Sequence, residues 1–300
     1  MRVIVTGASG FLGRAIIDKI CRQNPDISIT AIVRKESDAS GIDEKADILY
    51  ASFDDIDSLA DSFNREEKKI MYHFAWQGVN GEDKRNIDVQ LSNIVMAMKY
   101  IRLAKKINCD KILMAGTVAE NAIESIENVS TVGAAMFYAA AKTSTRMMAE
   151  VLSKSLGLSI VWMQIANVYG ADNNTGNLIS YTLKQLDKNQ NADFGPAKQP
   201  YDFIHIDDLT EAMYRLGIMH TSESFYYIGS GKPRILQEYL RYIGDVYGKP
   251  ELIRIGTRDD DGIKYRLDMF NIQPLINDIG DYAKRDFECE VKAMIERGIR

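Results

Sequence analysis

A glycine-rich segment directly after the first apolar run constrains the fold of this chain more than any other feature. The run from Val3 to Val5 is apolar, and Gly7, Gly10 and Gly13 follow at intervals of three. An apolar strand, a tight glycine turn and a helix starting near Phe11 form the first half of a βα unit. Free N–H groups at the start of that helix would point at a bound pyrophosphate. The segment therefore predicts an α/β fold that holds a dinucleotide.

Short apolar runs alternate with amphipathic segments of helical length through the first 170 residues. The predicted strands are 2–6, 28–33, 48–51, 70–75, 111–115 and 159–165, and the predicted helices are 11–24, 56–64, 83–108 and 135–156. This alternation is typical of a doubly wound parallel sheet, the Rossmann arrangement. From about residue 171 polar loops and shorter elements follow, with a helix near 178–188. We expect a dinucleotide-binding domain over 1–170, to which some later segments return, and a smaller C-terminal α/β lobe over 171–300 that mainly binds substrate.

The composition disfavours several classes of partner. The chain has 37 basic and 42 acidic side chains, and its net charge of −5 argues against nucleic acid or an anionic membrane surface. No apolar stretch reaches the roughly 20 residues that span a bilayer, and no signal-peptide layout precedes the first strand. Cys21, Cys109 and Cys289 lie far apart in no metal-ligand spacing, so we expect no metal and a reducing, cytoplasmic location.

The end of the second predicted strand bears on the choice between NAD and NADP. An acidic side chain there would bind the ribose hydroxyls of NAD, whereas an arginine accommodates the 2′-phosphate of NADP. Arg34 and Lys35 follow the strand, and Arg14 lies just past the third glycine. These cations favour NADP. Because Glu36 or Asp38 could still reach a ribose, NAD is the alternative, and the two strand-end cations could also be simply solvated.

A tyrosine and a lysine one helical turn apart form the second strong signal. Tyr138 and Lys142 share one face of the predicted helix 135–156, where both can address one substrate. A nearby ammonium and a positive nicotinamide ring could lower the pKa of the phenol by roughly three units from about 10. Thr117, at the carboxyl end of the fifth predicted strand, could hold a substrate oxygen. A Tyr-x-x-x-Lys spacing alone is often a solvated helix face, but this ordered set indicates oxidoreductase chemistry.

These motifs together resemble the extended short-chain dehydrogenases/reductases of the nucleotide-sugar epimerase/dehydratase family. The resemblance covers nearly the whole chain and includes the cofactor loop at 6–13, the His-x-Ala segment at 73–75 and the Asn-x-Tyr-Gly stretch at 167–170, with an Asp-Phe-x-His motif from residue 202. It implies that Tyr138 is the acid/base and that Lys142 binds the nicotinamide ribose and tunes Tyr138. It further implies that Thr117 hydrogen-bonds the reacting sugar oxygen.

The resemblance also implies two sets of binding residues. The cofactor set is Gly7, Gly10, Phe11, Leu12, Gly13, Arg34, Phe53, Phe74, Ala75, Tyr138, Lys142 and Ile165. The substrate set is Trp76, Asn93, Thr117, Asn167, Tyr201 and His205. Two histidines have simpler interpretations, because His73 lies on an apolar strand as a packed core residue would, and His205 could orient its neighbours.

Several positions depart from the family pattern. Tyr201 stands where the family usually has arginine, Ser52 replaces an aspartate that commonly holds adenine, and Ala115 and Gly116 replace serines before the catalytic hydroxyl. The segment from Trp76 to Gly81 is distinctive. These departures leave the nucleotide, the sugar and the reacting carbon open, since they depend on the loops 76–85, 118–135 and 171–200.

The sequence therefore favours an NADP(H)-dependent reductase of a nucleotide-activated keto-deoxysugar. The alternative is an NAD-dependent nucleotide-sugar 4-epimerase, which would remove a hydride and return it to the other face of the sugar. A non-catalytic dinucleotide-binding protein is a third hypothesis, which the intact Thr117, Tyr138 and Lys142 disfavour. Methionines at 94–98 and at 147–148 predict a helix-packing surface. The resemblance implies that the corresponding helices pair two subunits, so we expect a homodimer.

Overall fold

A seven-stranded parallel sheet forms the centre of the computed structural model, which describes residues 1–128, 134–170, 173, 177–260 and 264–298. The strands are β1 (Arg2–Thr6), β2 (Ser28–Val33), β3 (Ala46–Tyr50), β4 (Lys69–His73), β5 (Cys109–Ala115), β6 (Ser159–Ile165), β7 (Asn167–Tyr169), β8 (Ala192–Phe194), β9 (Pro200–Tyr201), β10 (Phe203–His205), β11 (Phe225–Ile228), β12 (Arg234–Ile235) and β13 (Ile253–Ile255). The large sheet has the order β11-β6-β5-β4-β1-β2-β3. Because β1 pairs with β2 on one side and β4 on the other, the winding reverses there and a crevice opens beyond the strand ends.

Helices cover both faces of this sheet. The α-helices are α1 (Phe11–Gln23), α2 (Ile87–Lys106), α3 (Ala134–Leu156), α4 (Leu178–Asp187), α5 (Ile206–Ile218), α6 (Leu236–Tyr247), α7 (Gln273–Ile279) and α8 (Phe287–Glu296). Short 3-10 helices span Ile56–Ser62, Glu82–Arg85, Val118–Asn128, Pro250–Leu252 and Leu267–Phe270. One face of the sheet packs on α1 and α5, and the other packs on α2 and α3, so the central strands are largely buried and mostly apolar. The edge strand β3 is largely exposed.

The structure confirms the doubly wound parallel fold, and the differences from the predicted elements have local causes. The predicted helix 83–108 is interrupted at Asn86, whose side chain accepts hydrogen bonds from the backbone N–H groups of Asp88 and Val89 and so caps α2. The predicted helix 56–64 is the 3-10 helix Ile56–Ser62. The edge strand β11 was not predicted, because four residues are too few to show a periodic pattern.

The C-terminal lobe has its own apolar core. Three two-stranded sheets, β7 with β10, β8 with β13 and β9 with β12, lie beside α4, α6 and α8. Aromatic rings fill the centre, where Phe203 meets Tyr239 at 5.0 Å and Tyr239 meets Phe287 at 4.7 Å between ring centroids. Two elements that follow residue 170 belong with the large sheet and not with this lobe. β11 pairs with β6 at the edge of the sheet, and α5 packs beside α1 on one of its faces. The division at residues 170 and 171 stays a prediction.

The described part of the chain shows neither a membrane-spanning helix nor a metal centre. None of its helices combines the length and the apolar character that a bilayer crossing needs. Within the same residues, no three His, Cys, Asp or Glu side chains are grouped as ligands of a metal ion.

Candidate active site

The glycine turn between β1 and α1 is shaped by close backbone contacts. Gly7 has φ of +67°, and a Cβ there would lie 2.7 Å from the Ala75 backbone nitrogen. A Cβ at Gly13 would lie 2.4 Å from the Gly7 carbonyl oxygen. Gly10 immediately precedes α1 as its N-cap residue. Side chains at Gly7 and Gly13 would collide with neighbouring backbone, so these glycines allow the compact turn that brings the start of α1 close to the ends of the strands. Such a turn before a helix fits the pyrophosphate of a dinucleotide.

Two cavities meet at this turn. The larger, of about 900 Å³, contains eleven of the predicted site residues: Gly7, Gly10, Phe11, Leu12, Gly13, Phe74, Trp76, Thr117, Tyr138, Asn167 and Tyr201. The smaller, of about 300 Å³, is lined at its far end by Arg34, Phe53, Ala75 and Asn93. Gly7, Gly10, Phe74 and Trp76 line both. The arrangement can hold an elongated two-part ligand, with one end near Arg34 and the other near Tyr138.

Three predicted residues lie outside the walls of both cavities. Lys142 is 5% exposed and lies beneath Trp76, and Ile165 is buried at the end of β6. His205 caps α5, because its Nδ1 accepts a hydrogen bond from the Asp207 backbone N–H at 3.2 Å. Parts of the loops 118–135 and 171–200 fall outside the described residues. The binding roles of the individual residues stay predictions.

Thr117, Tyr138 and Lys142 come together beside the turn. Burial raises the pKa of the Tyr138 phenol above its usual value, and a side-chain hydrogen bond with Thr117 offsets part of that rise. This direction is opposite to the lowering that the sequence suggested, because burial outweighs the hydrogen bond. The phenol is therefore held in its neutral form, which can donate a proton to a substrate oxygen.

Lys142 is fixed beneath the phenol by two contacts. Its Nζ donates a hydrogen bond to the Ala115 carbonyl oxygen at 2.8 Å, and it lies 3.7 Å from the centroid of the Trp76 ring. Burial lowers the pKa of Lys142 to about 7, while Glu120 raises it in part. An aromatic face favours the charged ammonium, so Trp76 also opposes the effect of burial.

The burial of Lys142 predicts how folding stability changes with pH. Between the folded pKa of about 7 and the unfolded value of 10.5, the unfolded chain binds more protons at this residue than the folded chain. The free energy of unfolding therefore rises with pH across that window. We expect Lys142→Met to lose this contribution, so that wild-type stability minus variant stability grows as the pH rises. Urea unfolding of both proteins at a series of pH values measures the difference, and a flat difference would contradict the assignment.

The loop after β4 places the Trp76 ring against Lys142. Trp76 Nε1 donates a hydrogen bond to Gln90 Oε1 at 3.0 Å, and Gln90 Nε2 in turn donates to the Gly78 carbonyl oxygen at 2.9 Å. The Trp76 ring meets the Tyr138 ring edge-on, with 6.1 Å between centroids. Asn93 donates to and accepts from the backbone of Gln77 at 2.8 Å. These bonds tie the loop to α2, so the loop forms a fixed wall of the larger cavity.

Sequence analysis missed two charged residues at this site. Lys84 Nζ lies 5.0 Å from the centroid of the Tyr138 ring, and burial lowers its pKa. Glu120 is 5% exposed and accepts a hydrogen bond from the Thr117 backbone N–H at 2.7 Å. Neither residue belongs to a recognisable spacing. The only sequence signals were the distinctive 76–85 loop, which carries Lys84, and Gly116 in place of serine beside Thr117.

Comparisons with known proteins agree with this geometry. The model of the NAD dependent epimerase/dehydratase family matches residues 3–229. A dTDP-4-dehydro-6-deoxyglucose reductase of Escherichia coli is 25% identical over 80% of this chain and 80% of its own length. CDP-abequose synthase of Salmonella typhimurium is 24% identical over 80% and 79%. The crystal structure of UDP-glucose 4-epimerase from Thermotoga maritima with UDP-glucose has a TM-score of 0.81 at 19% identity, and covers 99% of this chain and 98% of that one.

The family match includes the glycine turn, Thr117, Tyr138 and Lys142, and extends from β1 to the residue after β11. It spans more than half of the chain, and the solved structure has the same fold. The chain therefore belongs to the NAD dependent epimerase/dehydratase family, as an NAD(P)-dependent enzyme of the extended short-chain dehydrogenase/reductase type.

Proposed function

We propose that the protein is an NADP(H)-dependent reductase of a nucleotide-activated keto-deoxysugar. The observation that carries this proposal is the Tyr138 phenol, which burial holds neutral beside Thr117 at the wall of the larger cavity. A neutral phenol at a hydride-transfer site is ready to donate a proton to a ketone oxygen. The reductase and synthase relatives support the same substrate class, since their names specify dTDP- and CDP-linked sugars.

The proposed reaction needs one proton and one hydride. NADPH held at the glycine turn of Gly7, Gly10 and Gly13 would supply the hydride. Tyr138 Oη donates its proton to the carbonyl oxygen, so the C=O bond becomes an alcohol and the phenol becomes a phenolate. Thr117 Oγ1 holds that oxygen by a hydrogen bond, and the Lys142 ammonium stabilises the phenolate until the proton is replaced from solvent.

The NADP preference rests on the cation at the end of β2. Arg34 is exposed, and it lines the smaller cavity together with Ser9 and Ser37. Arg14, the other cation that the sequence suggested, packs against Gly41 and is not among the residues that line either cavity. An arginine and hydroxyls around one cavity suit a 2′-phosphate, which carries more charge than the ribose hydroxyls of NAD.

The alternative is an NAD-dependent nucleotide-sugar 4-epimerase. This proposal uses the same three side chains, but the reduced cofactor would return its hydride to the substrate instead of leaving. The structural likeness to UDP-glucose 4-epimerase supports this alternative. The two proposals differ in whether the cofactor is consumed.

One experiment separates these proposals. The purified protein is incubated with NADPH or NADH and with dTDP-, CDP-, UDP- and GDP-linked 4-keto-6-deoxysugars. In parallel it is incubated with UDP-hexoses and no added cofactor, and the nucleotide released on denaturation is identified. We expect stoichiometric loss of NADPH absorbance with at least one ketosugar and weaker binding of NADH. Tightly held NAD⁺ with interconversion of UDP-hexoses would establish the epimerase instead. No turnover of either kind would contradict both.

We also propose that two copies of the chain pair through α2 and α3. These adjacent helices expose an apolar surface formed by Ile87, Leu91, Val95, Met147, Met148 and Val151. Single exposed apolar side chains are common, but six of them on two adjacent helices, with Val151 71% exposed, are typical of an interaction surface. Light scattering should give twice the 33.8 kDa chain mass, and a mass of one chain would contradict the proposal.

The three cysteines support the proposal of a reducing, cytoplasmic location. Cys21, Cys109 and Cys289 are all free thiols, and the first two are buried. Free buried thiols persist where the surroundings keep cysteines reduced. Fractionation of the native cells with an antibody against the protein tests this, and recovery outside the cytoplasmic fraction would contradict it.

A further inference from the structure

Opposite charges hold the strand-end segment that carries the catalytic hydroxyl. Lys142 Nζ donates to the Ala115 carbonyl oxygen at 2.8 Å, and Glu120 Oε1 accepts from the Thr117 backbone N–H at 2.7 Å. Gly116 lies between these two anchoring points. The position of the Thr117 side chain therefore depends on a cation at one end of a three-residue segment and an anion at the other.

The Glu120 carboxylate is fixed from inside the protein. Trp162 Nε1 donates to both of its oxygens, at 3.1 and 3.2 Å, and Trp162 is itself 1% exposed on β6. Arg146 Nε lies 3.4 Å from Glu120 Oε2 and completes an ion pair. A carboxylate that meets an indole, a backbone amide and a guanidinium has its geometry set by the core. It is not a mobile surface acid.

Gly116 is required for this arrangement. A Cβ at position 116 would lie 2.2 Å from Trp162 Nε1 and 2.6 Å from Glu120 Oε1. Contacts this short would displace the indole or the carboxylate. Gly116 stands where the family usually has serine. The buried Glu120–Trp162 pair therefore requires glycine at position 116, because any side chain there would displace one of its two members.

The groups around Lys142 leave Glu120 as its counter-charge. His73 on β4 faces Lys142, but burial lowers the pKa of His73 to about 3, so the imidazole is neutral at ordinary pH. Tyr138 lies on the same helix with its phenol neutral, and Lys84 lies beyond the Tyr138 ring. Arg146 pairs with Glu120. Within the described part of the chain, the negative charge that favours protonated Lys142 is that of Glu120. Burial raises the pKa of the Glu120 carboxyl, and the hydrogen bonds from Thr117 and Trp162 and the charges of Lys142 and Arg146 offset part of that rise.

We propose that Glu120 is a positioning residue that holds Thr117 at the reacting oxygen and that it is the counter-charge of Lys142 across the segment from Ala115 to Thr117. The importance of these two roles for turnover rests on the proposed function. The charge coupling between Glu120 and Lys142 can be measured without a substrate. The stability measurements can therefore contradict the role of Glu120 even if no reductase activity is found. An absence of reductase activity would contradict the proposed function and would not affect the stability measurements.

The test uses the pH dependence of stability that Lys142 confers. Free energies of unfolding are measured from about pH 5 to about pH 10 for wild type, Lys142→Met, Glu120→Gln and the double variant. For each state of residue 120, the free energy of unfolding is compared between the protein that keeps Lys142 and the protein that carries Lys142→Met. The difference between the two begins to rise at the pKa that Lys142 has in the folded protein and continues to rise above it. Glutamine keeps an oxygen for the Thr117 N–H but removes the charge. We expect the onset of this rise to move down by about one pH unit or more in the Glu120→Gln background.

A matched control removes a different acid from the same cluster. Glu150 Oε1 lies 3.7 Å from Arg146 Nη1, so Glu150→Gln also removes a charge that pairs with Arg146. We expect the onset to stay at its wild-type pH in that background. An unchanged onset in Glu120→Gln, or an equal shift in Glu150→Gln, would overturn the proposal. Should Glu120→Gln fail to fold, Glu120→Ala also removes the charge but places no amide group beside Trp162 and Arg146. The onset must move down in that background too, and an unchanged onset would overturn the proposal.

Discussion

Tyr138→Phe should lower kcat for ketosugar reduction by about 100- to 10,000-fold, because it removes the group that protonates the reacting oxygen. The phenyl ring keeps the edge-on contact with Trp76, whose centroid lies 6.1 Å away, so the site should stay folded. Cofactor affinity should change little, since the hydroxyl is the only group lost. Steady-state rates with NADPH at saturating substrate measure the loss, and titration of NADPH fluorescence measures the affinity.

Tyr181→Phe is the matched control for this prediction. Tyr181 also lines the larger cavity, but its hydroxyl accepts a hydrogen bond from Arg258 Nη2 at 3.1 Å, away from Thr117 and Lys142. Loss of that hydroxyl should affect kcat by less than tenfold. A Tyr138→Phe protein that turns over within threefold of wild type would remove Tyr138 from the proton transfer and would leave the proposed mechanism without an acid.

Gly7→Ala should destabilise the protein by about 2–5 kcal/mol and weaken NADPH binding at least tenfold. A left-handed residue with a Cβ costs about 1–2 kcal/mol, and forcing an atom into a filled space costs about 1–3 kcal/mol more. Both apply at Gly7, which has φ of +67° and backbone atoms of Phe74 and Ala75 within 3.0 Å of the added Cβ. Urea unfolding measures the stability, and NADPH fluorescence measures the binding.

Gly157→Ala separates the two contributions. Gly157 has φ of +60° after α3, and nothing lies within 4 Å of its added Cβ. That substitution should therefore show the backbone strain alone, about 1–2 kcal/mol, with unchanged NADPH affinity. If the two variants lost equal stability, the close contact of Gly7 with the backbone of Phe74 and Ala75 would add nothing to the cost of the Gly7→Ala substitution, which would contradict this prediction.

The glycine turn and the catalytic helix could be predicted because their chemistry depends on local spacing. Gly7, Gly10 and Gly13 lie within seven residues, and Tyr138 and Lys142 are one helical turn apart. The apolar runs of β1, β2 and β6 were also found with their observed bounds. In each case the local structure depends on residues that are close together in the sequence, so the sequence alone predicts it.

The features that could not be predicted depend on long-range contacts. Glu120 meets Trp162 across 42 residues of chain, and Lys142 meets the Ala115 carbonyl across 27. The direction of the Tyr138 pKa shift also follows from burial, which only the assembled fold determines. β11 joins the sheet from a segment 60 residues after β6, and its four residues carry no periodic pattern.

The central claim is that Thr117, Tyr138 and Lys142 serve a hydride transfer between a nicotinamide and a sugar carbon. The direct test is single turnover of the purified protein with NADPH deuterated at both positions of carbon 4 of the nicotinamide and the ketosugar that it reduces, followed by mass spectrometry of the product. We predict one deuterium on the new carbinol carbon with wild type, and a matching loss of rate with Tyr138→Phe. A product whose new carbon-bound hydrogen comes from solvent would contradict direct hydride transfer.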